Sequence, residues 1–164
     1  MGRNFLKIGA VSMALGLAVV FAAGFGGLSG NLNPLSVTPA QAHGDVAPQP
    51  VDTTGIDPLG KEWKATNPYR GKDNKNYKKA VEIGSGGYNQ NCARCHGLEA
   101  KSGGLAPDLR FLETDEDGDE WYVMRVREGM TQNGITKMPG FEGILSQEAL
   151  WAIRTYVDSL PEDD

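Results

Sequence analysis

Both cysteines of the chain lie in one five-residue motif, Cys92-Ala93-Arg94-Cys95-His96. Two cysteines three positions apart with a histidine directly after the second have the spacing of a covalent haem attachment site. Residues i and i+3 share a face on a helical turn, so both thiols can reach one porphyrin while the histidine approaches its iron. We therefore predict one covalent haem c, bound through Cys92 and Cys95, with His96 as an iron ligand. A chain of this kind must fold around a large apolar group.

The two cysteines have three other interpretations: a disulfide, a redox-active dithiol, or half of a zinc site. A thioredoxin-like dithiol follows a strand in a βαβ unit, whereas Cys92 follows a polar, glycine-containing stretch with helical character. Zinc needs four ligands, and the only other histidine in the sequence is His43. At a mature amino terminus His43 could bind copper with its own amine, but no further histidine is left to complete that site. The comparison favours haem attachment.

The first 42 residues have the features of an export signal. Arg3 and Lys7 precede an apolar run at residues 8–28, and residues 40–42 (Ala-Gln-Ala) have the small side chains of a cleavage site. We expect cleavage before His43, a periplasmic location, and no stable membrane insertion afterwards. The alternative is an uncleaved anchor, since the run has 21 residues and could span a bilayer.

The mature chain would have 122 residues, enough for one small domain with a modest core of its own. Cleavage removes two basic residues and no acid, which takes the formal net charge from −5 to −7. This charge argues against nucleic acid as a partner and favours solubility, with attraction to a basic docking patch.

Two parts are predicted in the mature chain: an extended arm at residues 43–75 and a helical domain at residues 76–164. Proline and glycine punctuate the arm, and its large aromatic residue, Trp63, is expected to pack back on the domain. We predict a helix at about residues 76–91, and a last helix that begins after Ser146 and ends before Pro161. Residues 130–143 are expected to be flexible.

Residues 113–120 contain six acids among eight positions. Their spacing does not fit an EF-hand loop, so we interpret them as a solvated loop whose last members cap the next helix; calcium binding is left open. That helix is predicted at about residues 119–128. Trp121 and Met124, with Val123 or Val126, are expected to face inward.

The ligand on the opposite face of the iron separates a carrier from an enzyme. After signal cleavage the methionine candidates are Met124, Met130 and Met138. Met124 has the position of a packed helical residue, and Met130 follows a helix end. Met138 precedes Pro139, whose fixed backbone can hold the sulfur in place. We predict Met138 as the second axial ligand, which would raise the reduction potential.

Residues 76–160 resemble the class I c-type cytochromes. The resemblance implies an all-α fold in which helices surround one covalent haem. It also implies that Gly84 and Tyr88 of the first helix meet Ile153 and Tyr156 of the last. The matching motifs are Gly84 and Tyr88, the haem motif at residues 92–96, Ala106-Pro107-Asp108-Leu109, Met138-Pro139, and Ile153 with Tyr156.

Two further positions take their expected roles from this resemblance. The carbonyl group of Pro107 is expected to accept the ring N–H of the haem-ligating histidine, and Leu109 is expected to pack on the porphyrin. The proposed haem-binding residues are therefore Cys92, Cys95, His96, Pro107, Leu109 and Met138, with His96 and Met138 as the metal ligands and no catalytic residue.

A closer resemblance reaches into the arm. Several segments are similar to the periplasmic c-type cytochromes that serve quinoprotein ethanol dehydrogenase. Members of that group can carry extra cysteines in the loop after the proline, whereas this chain has the acidic run there. The similar segments are residues 43–46, 51–53, 59–63, 67–71, 88–91 and 138–143.

The resemblance implies a monomeric periplasmic electron carrier rather than an enzyme. It would accept electrons from a pyrroloquinoline quinone (PQQ) dependent alcohol dehydrogenase and pass them toward a terminal oxidase. One alternative is a general respiratory carrier between a quinol-oxidising complex and an oxidase. Another, from a different class, is a haem enzyme or sensor with an open sixth iron position.

Overall fold

A computed structural model of the chain describes residues 47–161, which belong to one structural unit, Ala42–Asp164. The expected export signal, its cleavage site and His43 lie outside the described residues. Within residues 47–161, two single 3₁₀ turns lie at Leu98–Ala100 and Leu109–Phe111. The same range contains four α-helices and one antiparallel hairpin: α1 (Tyr77–Asn91), α2 (Ala93–His96), α3 (Glu116–Glu128), β1 (Met130–Gln132), β2 (Ile135–Met138) and α4 (Gln147–Asp158).

The predicted helical fold is correct except for the hairpin, which occupies part of the segment expected to be flexible. Strands β1 and β2 are joined by Asn133 and Gly134, both with positive φ angles (52° and 75°). A two-residue turn with this backbone matches the right-handed twist of the flanking strands. No helix in the described part of the chain has the length and apolar character needed to cross a membrane.

Helices α1 and α4 cross in close contact at Gly84. A Cβ atom at Gly84 would lie 1.9 Å from a backbone carbonyl oxygen of α4, so this position requires glycine. The rings of Tyr88 and Tyr156 are 5.5 Å apart, and a Cβ at Gly87 would lie 3.1 Å from Ile153. The helix crossing implied by the family resemblance is therefore present.

Helix α4 is the centre of the core, because ten of its twelve residues are buried. It begins as predicted: the hydroxyl group of Ser146 accepts a hydrogen bond from the backbone N–H of Ala149 (3.2 Å). This cap satisfies one of the amide groups that a helix start leaves unpaired.

Replacing Ser146 with alanine is expected to lower the free energy of unfolding by about 1 kcal/mol, because the N–H group of Ala149 loses its acceptor. Denaturant unfolding measures this change. Ser146→Asp is the matched control, since aspartate also caps helices well. Equal destabilisation by both substitutions would contradict the capping role.

The arm, residues 47–75, has neither helix nor strand and packs against α4. The backbone N–H of Leu59 donates to Glu148 Oε1 (2.7 Å), and Gln147 Nε2 donates to the carbonyl oxygen of Gly60 (2.7 Å). The side chain of Tyr69 is fully enclosed, and Trp63 packs against the core as expected. These contacts tie the arm to the start of α4.

Helix α3 begins one turn earlier than predicted. Asp115 is its cap, accepting from the N–H of Gly118 (2.9 Å), so four of the six acids in the run lie inside the helix. Acidic side chains in the first turn are favourable because they face the positive end of the helix dipole. The interpretation as a solvated loop is wrong for Asp119, which is fully buried.

The inward face of α3 differs in part from the prediction, which was correct for Val126 and wrong for Trp121 and Met124. Tyr122 and Val126 are buried, whereas Trp121 and Met124 are each 41% exposed. Asp119, Tyr122 and Val126 share one helix face by their spacing. Because Asp119 forms ion pairs inside the protein, the face that contains it is the one that turns inward.

Candidate functional site

The two cysteines lie where α1 ends and α2 begins. The backbone N–H groups of Cys95 and His96 both donate to the carbonyl oxygen of Cys92, at 3.1 and 3.0 Å. This turn places the two thiols one helical turn apart on one side of the backbone. Both cysteines are free and half-buried.

Burial raises the pKa of the free Cys92 thiol to about 12. A redox-active dithiol needs a thiolate near neutral pH, so this environment disfavours that interpretation. Among residues 47–161, no group of three or more histidine, cysteine, aspartate or glutamate side chains is arranged to hold a metal ion. This holds for the acidic run as well.

The ring of His96 is fixed by one hydrogen bond. Its Nδ1 atom lies 2.8 Å from the carbonyl oxygen of Pro107. A carbonyl oxygen can only accept, so this contact places the ring proton on Nδ1 and leaves the lone pair of Nε2 available for a metal. The contact implied by the family resemblance is present.

The loop that carries Pro107 is held by the carboxylate of Asp108, which sequence reasoning did not identify. Asp108 accepts from the backbone N–H of Ser102 (3.1 Å) and from the Nε (3.1 Å) and Nη2 (2.9 Å) atoms of Arg110. The hydrogen bonds from Arg110 lower the pKa of Asp108 to about 2, so the pair stays charged. The sequence feature that could have indicated this ion pair is an aspartate with an arginine two positions later, Asp108 and Arg110.

Met138 ends strand β2 and is half-buried against the core. Its backbone is confined on both sides. A Cβ at Gly129 would lie 2.4 Å from the carbonyl oxygen of Met138, and a Cβ at Gly140 would lie 2.6 Å from a carbonyl oxygen of α3. The N–H of Phe141 donates to another carbonyl oxygen of α3 (2.8 Å). The last turn of α3 therefore fixes the segment that follows Met138.

Large apolar side chains are unusually exposed in the chain between His96 and Met138. Seven of the eight exposed large apolar residues in the described range lie there, each at least 39% exposed. Apolar side chains of this kind are suited to contact with an apolar macrocycle. Leu109 is half-buried against the core in the same stretch. The exposed residues are Leu98, Leu105, Phe111, Trp121, Met124, Met130 and Ile135.

These residues fit a haem c in their chemistry: two thiols for thioether bonds, an imidazole nitrogen with a free lone pair, a thioether, and apolar side chains for the macrocycle.

Comparisons with known proteins agree with this fit. The family model for cytochrome c oxidase, cbb3-type, subunit III matches residues 79–157. Cytochrome c550 of Pseudomonas aeruginosa is 60% identical over 125 residues, which cover 76% of this chain and 86% of that protein. The chain belongs to the cytochrome c550 family. It is a class I c-type cytochrome with covalently bound haem c, and the predicted family and cofactor are confirmed.

Membership of the cytochrome c550 family makes the protein an electron carrier in broad terms. A second relative is the quinohemoprotein alcohol dehydrogenase ADH IIB of Pseudomonas putida. It is 34% identical over 84 residues, which cover 51% of this chain and 12% of that dehydrogenase. No solved structure matches the chain.

Proposed function

We propose that this c550-type cytochrome is a monomeric periplasmic carrier of single electrons. It accepts electrons from a PQQ-dependent alcohol dehydrogenase and passes them toward a terminal oxidase. The observation that carries this proposal is the pair of positioned donor residues: His96, whose ring is held through Nδ1 by Pro107, and Met138, whose backbone is held by the end of α3.

We infer that His96 and Met138 are the axial ligands and that Cys92 and Cys95 form the thioethers. When bound, the haem supplies a one-electron ferric/ferrous couple, and a methionine ligand raises its potential. With two protein ligands no position would be left for a substrate, so the protein would transfer electrons without catalysing the formation or cleavage of a bond. Its side chains hold the cofactor, exclude water and present a docking surface. This favours a carrier over a haem enzyme or sensor with an open sixth position.

The similarity to ADH IIB supports an alcohol dehydrogenase as the electron donor. The name of that relative joins haem with alcohol oxidation, and half of this chain is similar to a small part of it. We infer that this chain, as a separate cytochrome, accepts electrons from an alcohol dehydrogenase in the same way that a haem domain within such an enzyme would. The acidic charge of this chain favours a basic docking patch on the partner, with the small, weak interface of transient redox encounters.

The name of the matching family model refers to a subunit of cytochrome c oxidase. That name supports an oxidase as the electron acceptor. It is equally compatible with the second candidate function, a respiratory carrier between a quinol-oxidising complex and an oxidase.

Stopped-flow reduction of the ferric protein distinguishes the two donors. A PQQ-dependent alcohol dehydrogenase with its alcohol is expected to reduce the protein quickly, and more quickly at low ionic strength, because opposite charges steer the encounter. Dehydrogenase without alcohol is the control. Reduction by a quinol-oxidising complex, with no acceleration by any quinoprotein alcohol dehydrogenase, would overturn the first candidate in favour of the second.

A further inference from the structure

Three side chains from separate parts of the chain meet at the last turn of α3. Trp63 comes from the arm, Arg127 from α3, and Glu142 from the segment after β2. The guanidinium carbon of Arg127 lies 4.7 Å from the centre of the Trp63 ring. The same guanidinium donates to both carboxylate oxygens of Glu142, from Nε (3.1 Å) and from Nη2 (2.9 Å). We call these three residues the arm clamp.

We propose that the arm clamp is a positioning device for Met138, so that the N-terminal arm helps to keep the thioether on the iron. The proposal rests on the axial ligation by Met138 proposed above. Trp63, Arg127 and Glu142 are positioning residues in this scheme, since each acts on the iron ligand through the backbone of the intervening loop.

Arg127 of α3 contacts the loop after Met138 through both its backbone and its side chain. At the backbone level, a Cβ at Gly140 would lie 2.6 Å from the carbonyl oxygen of Arg127, so the two main chains are in close contact. At the side-chain level, the guanidinium of Arg127 binds Glu142, four residues after Met138. Pro139 lies in this short connection and restricts its backbone. A displacement of the loop backbone that carries Met138 would therefore disturb the contacts of Arg127.

The two interactions of Arg127 support each other. The guanidinium contacts the Trp63 ring and donates through its planar fork to both oxygens of Glu142, so each contact restrains the group that makes the other. The hydrogen bond from Arg127 lowers the pKa of Glu142, so the pair is charged near neutral pH. The side chains of Arg127 and Glu142 remain 34% and 46% exposed, which limits the strength of the pair. The arm clamp is therefore expected to lower the fraction of molecules with an open loop by a moderate factor.

Imidazole binding to the ferric holoprotein measures this bias. Imidazole can take the sixth position only when Met138 has left it, so its apparent affinity scales with the fraction of molecules in which the loop is open. Loss of the far-red sulfur-to-iron absorption band follows the exchange. Trp63→Ala and Glu142→Gln are each expected to increase the apparent imidazole affinity about three- to tenfold.

Matched variants separate this effect from a general loss of stability. Trp63→Phe keeps an aromatic face for Arg127 and is expected to stay closer to the wild type than Trp63→Ala. Glu82→Gln breaks the exposed Lys79–Glu82 ion pair on α1 (2.9 Å) and is expected to leave the imidazole affinity unchanged. If Trp63→Ala does not fold, Glu142→Gln carries the test alone.

The outcomes also separate this proposal from the proposed function. If the wild type shows the far-red band, and Trp63→Ala and Glu142→Gln both bind imidazole within twofold of it, the arm clamp is overturned while the ligation by Met138 stands. If the wild type lacks the band, the ligation is wrong and the clamp proposal fails with it.

Discussion

Replacing Asp119 with asparagine is expected to lower the free energy of unfolding by about 3–5 kcal/mol. The carboxylate of Asp119 is fully buried and accepts from both terminal nitrogens of Arg70 (2.8 and 2.6 Å) and from Nε of Arg154 (3.2 Å). Arg154 is fully buried as well. An amide in place of the carboxylate leaves these guanidinium groups with only Asp158 as an opposite charge in their ion-pair cluster. The arm contributes Arg70, so its attachment weakens too.

Guanidinium chloride unfolding of the holoprotein measures this loss, because the covalent haem stays attached in both states. Glu82→Gln is the matched control: it also neutralises one acid of an ion pair, but its side chain is 70% exposed. That control is expected to change stability by less than about 1 kcal/mol. A similar small change for Asp119→Asn would show that the buried cluster contributes little.

The pH dependence of stability gives a second measure of the same variant. Burial alone would raise the pKa of Asp119, but the hydrogen bonds from Arg70, Asn67 and Arg154 hold it below its usual range. Such a carboxyl stabilises the fold above its unfolded pKa of about 3.9, and the contribution is lost as the pH falls through the lower folded pKa. Asp119→Asn should therefore lose less stability on acidification below about pH 4 than the wild type does. Burial raises the pKa of Asp158, so protonation of that carboxyl on acidification has the opposite effect and favours the folded state.

The sequence alone could not have identified this cluster, because its members are far apart in the chain and each is an ordinary surface residue by type. The sequence indicates a polar, basic turn at residues 69–75, which contains Arg70, and a solvated acidic run, which contains Asp119. Both interpretations rest on the rule that charged residues stay in water unless they are paired. Here the pairing partners come from the arm and from α4, and only the packing of those segments brings them together. The wrong inward face of α3 has the same cause.

The hairpin between α3 and α4 was missed for another reason. Asn133-Gly134 is a strong local signal for a two-residue turn, since both residues tolerate positive φ. Thr131 and Ile135 are β-branched residues, which favour strands on either side of that turn. The signal was therefore present, but the strands are only three and four residues long. Short, exposed strands lack the alternating apolar pattern by which strands are normally identified.

The parts predicted correctly depend on short-range chemistry. The haem motif places its three functional side chains within five residues, and Ser146 caps a helix that starts at the next residue. The contact between His96 and Pro107 spans eleven residues and came from the family resemblance, because nothing in the local pattern selects one carbonyl oxygen of that loop. The fixing of Met138 by α3 depends on two glycines whose role is visible only once the backbones are in place.

Replacing Met138 with alanine is expected to abolish the far-red band of the ferric protein and to lower its reduction potential. A methionine sulfur stabilises ferrous iron, and its loss leaves water or a nitrogen donor as the sixth ligand. We expect a fall on the order of 0.1–0.3 V, within the roughly 0.8 V that axial ligands span in haem proteins. Spectroelectrochemical titration measures both quantities on one sample.

Met130→Ala is the matched control for this substitution. Met130 pairs directly with Met138 across the hairpin, so the two side chains leave neighbouring strand positions. Met130 is 39% exposed, whereas Met138 is packed against the core and held by the end of α3. A ligand needs a fixed position, so we expect Met130→Ala to keep both the band and the potential. A band that survives in Met138→Ala and disappears in Met130→Ala would assign the sulfur ligand to β1 and leave the close packing around Met138 without a role in ligation.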